Sequence, residues 1–299
     1  MTTDMDAGRI EELHHAVESS CARAGLNPAG AQLIKYTVNA VFRLPTEGVV
    51  VRIASGADAA DRTRRTVATA RWLHDRRAPI GPLLDGDQPI DIDGWHWATF
   101  WQELDRAPAW SPAELAAPLI TLHTLAPDGA LPHWNPFGTA RARLAAADRA
   151  VVGGDDLRWL TAEWEHAEHM YGSWQHELPL TVIHGDPHTG NLLRRADGQV
   201  VLCDLDETGI GPAAWDLVPQ AVGATRFVRP AFYRAFAAAY GCDVRREPYF
   251  PVLARIRELI MVTGVLPDLS HRPAVAAQFT HRLATLRTGR TSATWDLYT

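Results

Sequence analysis

Between Thr181 and Asp206 the chain reads TVIHGDPHTGNLLRRADGQVVLCDLD. An apolar strand leads into a polar loop, HGDPHTGN. A second apolar run follows, and then a strand that ends in DLD. Asp186, Asn191 and Asp204 therefore bring a carboxylate, a carboxamide and a second carboxylate to two strand ends. A positioned carboxylate orients a hydroxyl and takes its proton. Hard oxygen donors hold Mg²⁺ against a triphosphate. That combination is the chemistry of phosphoryl transfer. Gly185 and Pro187 restrict the loop around Asp186, the expected base. Asn191 turns its carboxamide oxygen back toward a metal, and Asp204 bridges the metal to phosphates. Strand alternation puts Asp206 on the side of Asp204, as a further metal ligand or a loop brace. His184 and His188 complete the expected catalytic set, His184 by holding the loop and His188 as a brace or a substrate contact. A lone HGD, or an Asp and an Asn in a turn, is ordinary turn chemistry. What carries the reading is the whole string in order: strand, HGD, Asn, apolar run, turn, apolar strand, Asp.

The elements that must position these groups fall into two parts. Helical spacing (Ile10, Leu13, Ala16, Val17) predicts a helix over 7–24. Three short β-rich runs follow, at 32–36, 40–44 and 49–53, punctuated by Asn39 and by Thr46-Glu47-Gly48. A long helix is expected over 57–77, burying Val67, Ala70, Trp72 and Leu73 and stopped by Pro79 and Pro82. Two more strands are expected at 89–92 and 95–101. From Ser111 the character turns helical. Ser111-Pro112-Ala113-Glu114 is a capping-box pattern with Pro at the first helical position. Further helices are expected at 136–151, 155–171, 212–221, 230–240, 248–262 and 274–288. The fold class is α+β: residues 1–103 form a small antiparallel sheet with one major helix, and 104–299 form a mostly helical part. A short linker near Gln102–Pro108 joins them, with a ligand cleft expected between.

Bulk properties exclude other classes. The 299 residues are 46% hydrophobic and 21% charged, with a net charge of −6 and a pI near 6.1. Nucleic acid as the main partner is not expected, because a phosphate backbone needs a basic face. The N-terminal MTTDMDAGRIEEL has acidic residues and no apolar core, so no signal peptide is expected. No apolar run is long enough to span a bilayer. Cys21, Cys203 and Cys242 are widely spaced and read as reduced thiols of a cytoplasmic protein. The excess of Arg over Lys, with abundant Ala, Pro and Trp, reads as coding bias.

The strings HGDPHTGN and LCDLDE resemble the catalytic pattern of the aminoglycoside phosphotransferase (phosphotransferase enzyme) family, HGDxHxxN followed by a strand and DxD or DxE. Nearly the whole chain is covered by the resemblance. It implies a protein-kinase-like, two-lobed fold, similar also to choline kinases and macrolide kinases. The implied activity is transfer of the γ-phosphoryl group of ATP or GTP to a small-molecule hydroxyl. The acceptor would be an antibiotic such as an aminoglycoside or macrolide, or a hydroxylated metabolite such as an amino alcohol or sugar. By resemblance Asp186 is the base, and Asn191 and Asp204 ligate Mg²⁺. Residues 211–217 match a GPxxxDL segment in which Asp216 holds the catalytic loop from behind; capping the following helix is the plainer reading of Asp216.

The nucleotide side departs from the kinase pattern. No GxGxxG is present, and 36–42 stands in its place, with Asn39 closing the turn or offering its amide to phosphate. Arg52 in VVVRI fills the place of the phosphate-pairing Lys, and Arg also forks onto phosphate. The helix carboxylate that usually pairs with this cation is missing, since the matching turn reads Arg64-Arg65-Thr66-Val67. Asp58 or Asp61 would have to substitute. Phe100, Trp101, Gln102 and Glu103 lie in the expected lobe linker, where backbone groups would pair with the purine edge and the aromatic rings would flank the base, unless they are core. Acceptor contacts are sought among Arg226, Tyr233, Glu247, Glu258, His271, Asp296, Trp295 and Tyr298. The helices there carry no dense acidic cluster, so a neutral or mixed-charge acceptor fits as well as a polycation. Two alternatives stay open. One is a catalytically weak, kinase-like nucleotide- or ligand-binding protein. The other is a metal-dependent hydrolase using His184, Asp186 and His188.

Overall fold

The computed structural model describes residues 7–36 and 38–298. The chain divides into two compact units, Met1–Pro108 with Asn191–Asp206, and Ala109–Gly190 with Glu207–Thr299. The division is thus not a single cut after residue 103. The segment 191–206, with the three candidate metal ligands Asn191, Asp204 and Asp206, belongs to the first unit.

The first unit holds helix α1 (Ala7–Ala24), strands β1 (Gln32–Tyr36), β2 (Asn39–Leu44) and β3 (Val49–Ser55), helix α2 (Ala59–Asp75), and strands β4 (Ile90–Asp91) and β5 (His96–Gln102). The sheet runs in the order β1-β2-β3-β5-β4, and every neighbouring pair is antiparallel. Alternation along β2 and β3 buries Phe42, Leu44, Val49, Val51 and Ile53 with Phe100 of β5 and with Leu13, Ala16 and Val17 of α1. Full burial of such a side chain contributes roughly 1.5–3 kcal/mol. The period of two sends Arg52 to the other face of β3, where it lies opposite Val41 and Thr99. Helix α2 buries Val67, Ala70, Trp72 and Leu73, the predicted set.

The second unit begins with α3 (Pro112–His123), α4 (Pro136–Ala145) and α5 (Gly154–Gly172), followed by β6 (Leu180–Ile183). The capping box at Ser111 and Glu114 is formed as expected. The chain passes into the first unit for the antiparallel hairpin β7 (Leu192–Arg194) and β8 (Val200–Leu202). It returns as β9 (Gly209–Pro212), which pairs antiparallel with β6. Helices α6 (Ala213–Arg226), α7 (Pro230–Tyr240), α8 (Phe250–Thr263) and α9 (Pro273–Arg287) complete the unit. Helix α7 stops at Gly241, whose φ of 91° suits a residue without Cβ. Among the described residues no helix is long and apolar enough to cross a membrane.

Candidate active site

The loop that carries Asp186 is fixed from within the second unit. Asp216, on the first turn of α6 and fully buried, accepts the backbone N–H groups of His184 at 2.7 Å and Gly185 at 2.8 Å. Its Oδ2 also lies 3.0 Å from His123 Nε2, and His123 Nδ1 lies 2.7 Å from the Tyr240 hydroxyl. Trp215 Nε1 donates to the Gly185 carbonyl at 2.7 Å, and Gln220 Nε2 donates to the Pro187 carbonyl at 2.9 Å. Gly185 sits at φ 90°, and a Cβ there would collide with the Glu207 backbone. The plainer reading of Asp216 as a helix cap does not hold, since no side chain caps α6; the carboxylate braces the loop.

On that loop, Asp186 Oδ1 lies 2.7 Å from Arg257 Nη1 of α8, and its Oδ2 lies 3.9 Å from His188 Nε2. Burial pushes the Asp186 carboxyl upward. The Arg257 guanidinium, then His188 and His184, outweigh that effect and hold it below the ordinary aspartate value. His184 is completely buried, and its Nδ1 accepts the Asp186 N–H at 3.3 Å. It thus meets the backbone of Asp186 from inside the protein. His188 Nδ1 accepts the Gly190 N–H at 3.0 Å, while the ring stays 44% exposed beside Asp186. Both histidines thus bond backbone amides of the loop. Among the described residues no group of three His, Cys, Asp or Glu is placed to hold a metal.

The first unit holds the candidate metal ligands. The pairing of Leu192 with Leu202 and the Cys203 N–H donation to the Asn191 carbonyl at 2.9 Å tie Asn191 to the end of β8, one residue before Asp204. Asn191 is buried, and Asp204 adopts φ 67°. A left-handed non-glycine residue costs of order 1–3 kcal/mol and clusters at functional positions. The Asn191 carboxamide and the Asp204 carboxylate are hard oxygen donors and fit Mg²⁺, which takes one or two protein ligands and fills the rest with water and phosphate.

Asp206 meets three side chains of the first unit. Its Oδ1 accepts from Thr66 Oγ1 at 2.9 Å, and its Oδ2 accepts from Arg52 Nη2 at 2.8 Å and Asn39 Nδ2 at 3.0 Å. Both oxygens are thus engaged by side chains of the first unit. Asp206 faces Arg52 as the missing helix carboxylate was expected to. Thr66 stands in the turn of α2 where that carboxylate was sought, and Asp206 links it to Arg52. Arg52 also donates to Asp204 Oδ1 at 3.0 Å. Burial lowers the Arg52 pKa, but Asp206 and Asp204 more than restore it. Asp58 and Asp61 do not substitute, since they pair with Arg62 and Arg64 on their own helix.

Lys35 on β1, the one lysine of the chain, lies 3.8 Å from Asp204 Oδ2. Sequence reasoning passed over it, as it did Thr66, His123 and Arg257. Each acts across a long sequence gap. A lone lysine among so many arginines was the one signal available for Lys35.

The linker residues fare unevenly. Phe100 is core, buried to 2%, with its N–H on Gln88 Oε1 and its carbonyl accepting Leu84 N–H; the expectation that it flanks a base is corrected. The N–H of Gln102 goes to the Pro82 carbonyl and that of Glu103 to the Gly48 carbonyl, so neither is left for a purine edge. The Glu103 carboxylate pairs with Arg43. Trp101 is half-buried, its Nε1 on Thr99 Oγ1. Asn39 spends its side-chain amide on Asp206. The acceptor candidates are largely structural. Arg226 is buried against Glu258 and two carbonyls. Tyr233 bonds Asp243, and Trp295 is buried. The His271 side chain and Thr37 lie outside the described residues.

The model of the phosphotransferase enzyme family matches residues 36–259. The chain belongs to that family, a class of small-molecule kinases with hydroxyl acceptors. No curated protein sequence matches. Among solved structures, the microcompartment-associated aminopropanol kinase is similar at 13% identity and a TM-score of 0.69, over 95% of this chain and 99% of that one. The aminoglycoside phosphotransferase APH(3'')-Id from Streptomyces rimosus ATCC10970, in complex with ADP and streptomycin, is similar at 20% identity and TM-score 0.55, over 79% and 96%. The GDP and kanamycin complex of APH(2")-IIia is similar at 14% identity and TM-score 0.60, over 92% and 98%. The likeness shows a shared protein-kinase-like fold, with a small antiparallel sheet preceding a helical part.

Proposed function

We propose that the chain is a Mg²⁺-dependent O-phosphotransferase that moves the γ-phosphoryl group of ATP or GTP to a hydroxyl of a small molecule. The first unit serves the nucleotide, and the second carries Asp186 and the acceptor. The observation that carries the reading is the braced Asp186, held by the Asp216 network. Asp186 orients the acceptor hydroxyl and takes its proton. The hydroxyl oxygen bonds to the γ-phosphorus as the bond from that phosphorus to the β-bridging oxygen breaks, and the nucleoside diphosphate leaves with that oxygen. Asn191 and Asp204 would hold Mg²⁺, which supplies charge neutralisation at the phosphates. Arg52 and Lys35 face Asp204 and offer cations to the same phosphates. Nucleotide and polyhydroxyl ligands in the similar solved structures support the donor and the acceptor class. The nucleotide donor favours the cytoplasm.

The weak-binder alternative rested on the missing helix carboxylate, and Asp206 bonded to Thr66 and Arg52 removes its main support. A nucleotide-consumption assay over a panel of hydroxylated acceptors tests the proposal. Turnover is expected with at least one acceptor and is expected to vanish in Asp186→Ala. Full turnover by that variant on the best acceptor would refute the assignment.

A further inference from the structure

The cation on Asp186 has a consequence for the acceptor. Arg257 is 14% exposed, and its Nη1 meets the oxygen of the carboxylate that must receive the hydroxyl. Among the described residues, Asp186 is its only carboxylate partner. Its neighbours on α8 are engaged elsewhere: Arg255 pairs with Glu163 and Glu258, and Glu258 with Arg226. Asp243 is occupied by Tyr233, Arg245 and Arg246. Glu163, Glu258 and Asp243 are thus already compensated by arginines. A polycation needs uncompensated carboxylates, and at the base it would meet the Arg257 guanidinium. Like charge at a recognition site excludes a ligand as firmly as contacts admit one.

A guanidinium offers five N–H donors in a planar fork, and one carboxylate oxygen uses only part of it. The remaining edge matches an oxyanion, to which Arg binds in bidentate fashion. We infer that Arg257 selects the acceptor, and that the acceptor is a hydroxyl compound bearing a carboxylate or phosphate group rather than a polycation. With the hydroxyl on Asp186 and the oxyanion on the guanidinium, two hydrogen bonds of ordinary length separate the groups by roughly 4–6 Å, a few bonds along a small molecule. This inference rests on the phosphotransferase reading and narrows it.

The test is a comparison of matched acceptors on the full chain with Mg²⁺ and ATP or GTP. Hydroxy acids and hydroxylated phosphate monoesters are set against neutral polyols, amino alcohols and aminoglycosides of similar size. The wild type is expected to turn over an anionic acceptor with kcat/KM at least tenfold above its neutral or cationic counterpart. Arg257→Gln is expected to erase that preference, chiefly through KM. Arg257→Lys is expected to restore part of it, which a general loss of folding would not do. Whether the carboxylate or the phosphate series carries the preference identifies the oxyanion. A cationic or neutral acceptor used as well as its acidic counterpart overturns the inference while leaving the phosphotransferase in place. So does an acid preference that survives Arg257→Gln. Absence of any thermal shift with Mg²⁺ and either nucleotide would instead remove the phosphotransferase reading, and this inference with it.

Discussion

At Asp186 two opposing influences meet, burial and a guanidinium, and the guanidinium wins with help from two histidines. The carboxylate stays ionised to a pH below the ordinary aspartate range, near 3.9. A depressed folded-state pKa contributes stability that is present above the unfolded value and lost as pH falls through the folded one. The same sign governs activity. Removing the Arg257 charge should raise the Asp186 pKa, so the acid limb of kcat/KM in Arg257→Gln should move to higher pH. A pH profile that does not move would show that Arg257 leaves the base untouched. Asp186→Asn should lower kcat by about 10²–10⁴, the usual contribution of a positioned base, with circular dichroism confirming the fold. Asp206 makes a separate prediction. Without it Arg52 loses the partner that ties it to Thr66, so Asp206→Ala should raise the nucleotide KM about tenfold, as loss of a charged hydrogen bond worth about 1.5–3 kcal/mol implies. Thr66→Val should move it less, in the same direction. If the only defect of Asp206→Ala were a higher Mg²⁺ requirement, Asp206 would return to the metal.

The elements act as fixtures for these residues. Asp216 on α6 holds two backbone amides of the loop after β6 and meets His123 of α3, whose other nitrogen meets Tyr240 of α7. Asp216→Ala strips several buried donors of their acceptor, each at about 1–3 kcal/mol. A loss of at least about 3 kcal/mol is expected, which thermal denaturation should register as a drop of roughly 6 °C or more. An unchanged melting temperature would contradict the bracing role.

The same level shows what the sequence made legible. Helix starts marked by Pro, as at Pro112 after the Ser111 cap and at Pro230, were readable because the signal is local. So were the alternating strands β2 and β3, and the string around Asp186. The partners of Asp206 were not legible, because alternation gave its side alone. Those partners, Arg52 and Thr66, lie 154 and 140 positions away. Arg257 was invisible because it sits on a helix read only for its apolar face, and its importance arises from where α8 places it. Phe100 was ambiguous until the pairing Val51 with Phe100 put it on the core side.

For the molecule as a whole, each unit carries one part of the chemistry, and the base and the first metal ligand are five residues apart in sequence. Thermal stabilisation by ATP or GTP should therefore require Mg²⁺, be lost on chelation, and be weakened in Asp204→Asn. Stabilisation that persists undiminished without the metal would separate nucleotide binding from Asn191 and Asp204. The central claim is transfer of a phosphoryl group to a hydroxyl. Phosphorus NMR of the reaction with Mg²⁺, nucleotide and the best acceptor measures it directly. The account predicts a phosphate monoester of the acceptor that grows with the nucleoside diphosphate in wild type and is absent in Asp186→Asn. Nucleotide consumed to free inorganic phosphate with no monoester, or a monoester formed equally by both proteins, would contradict it.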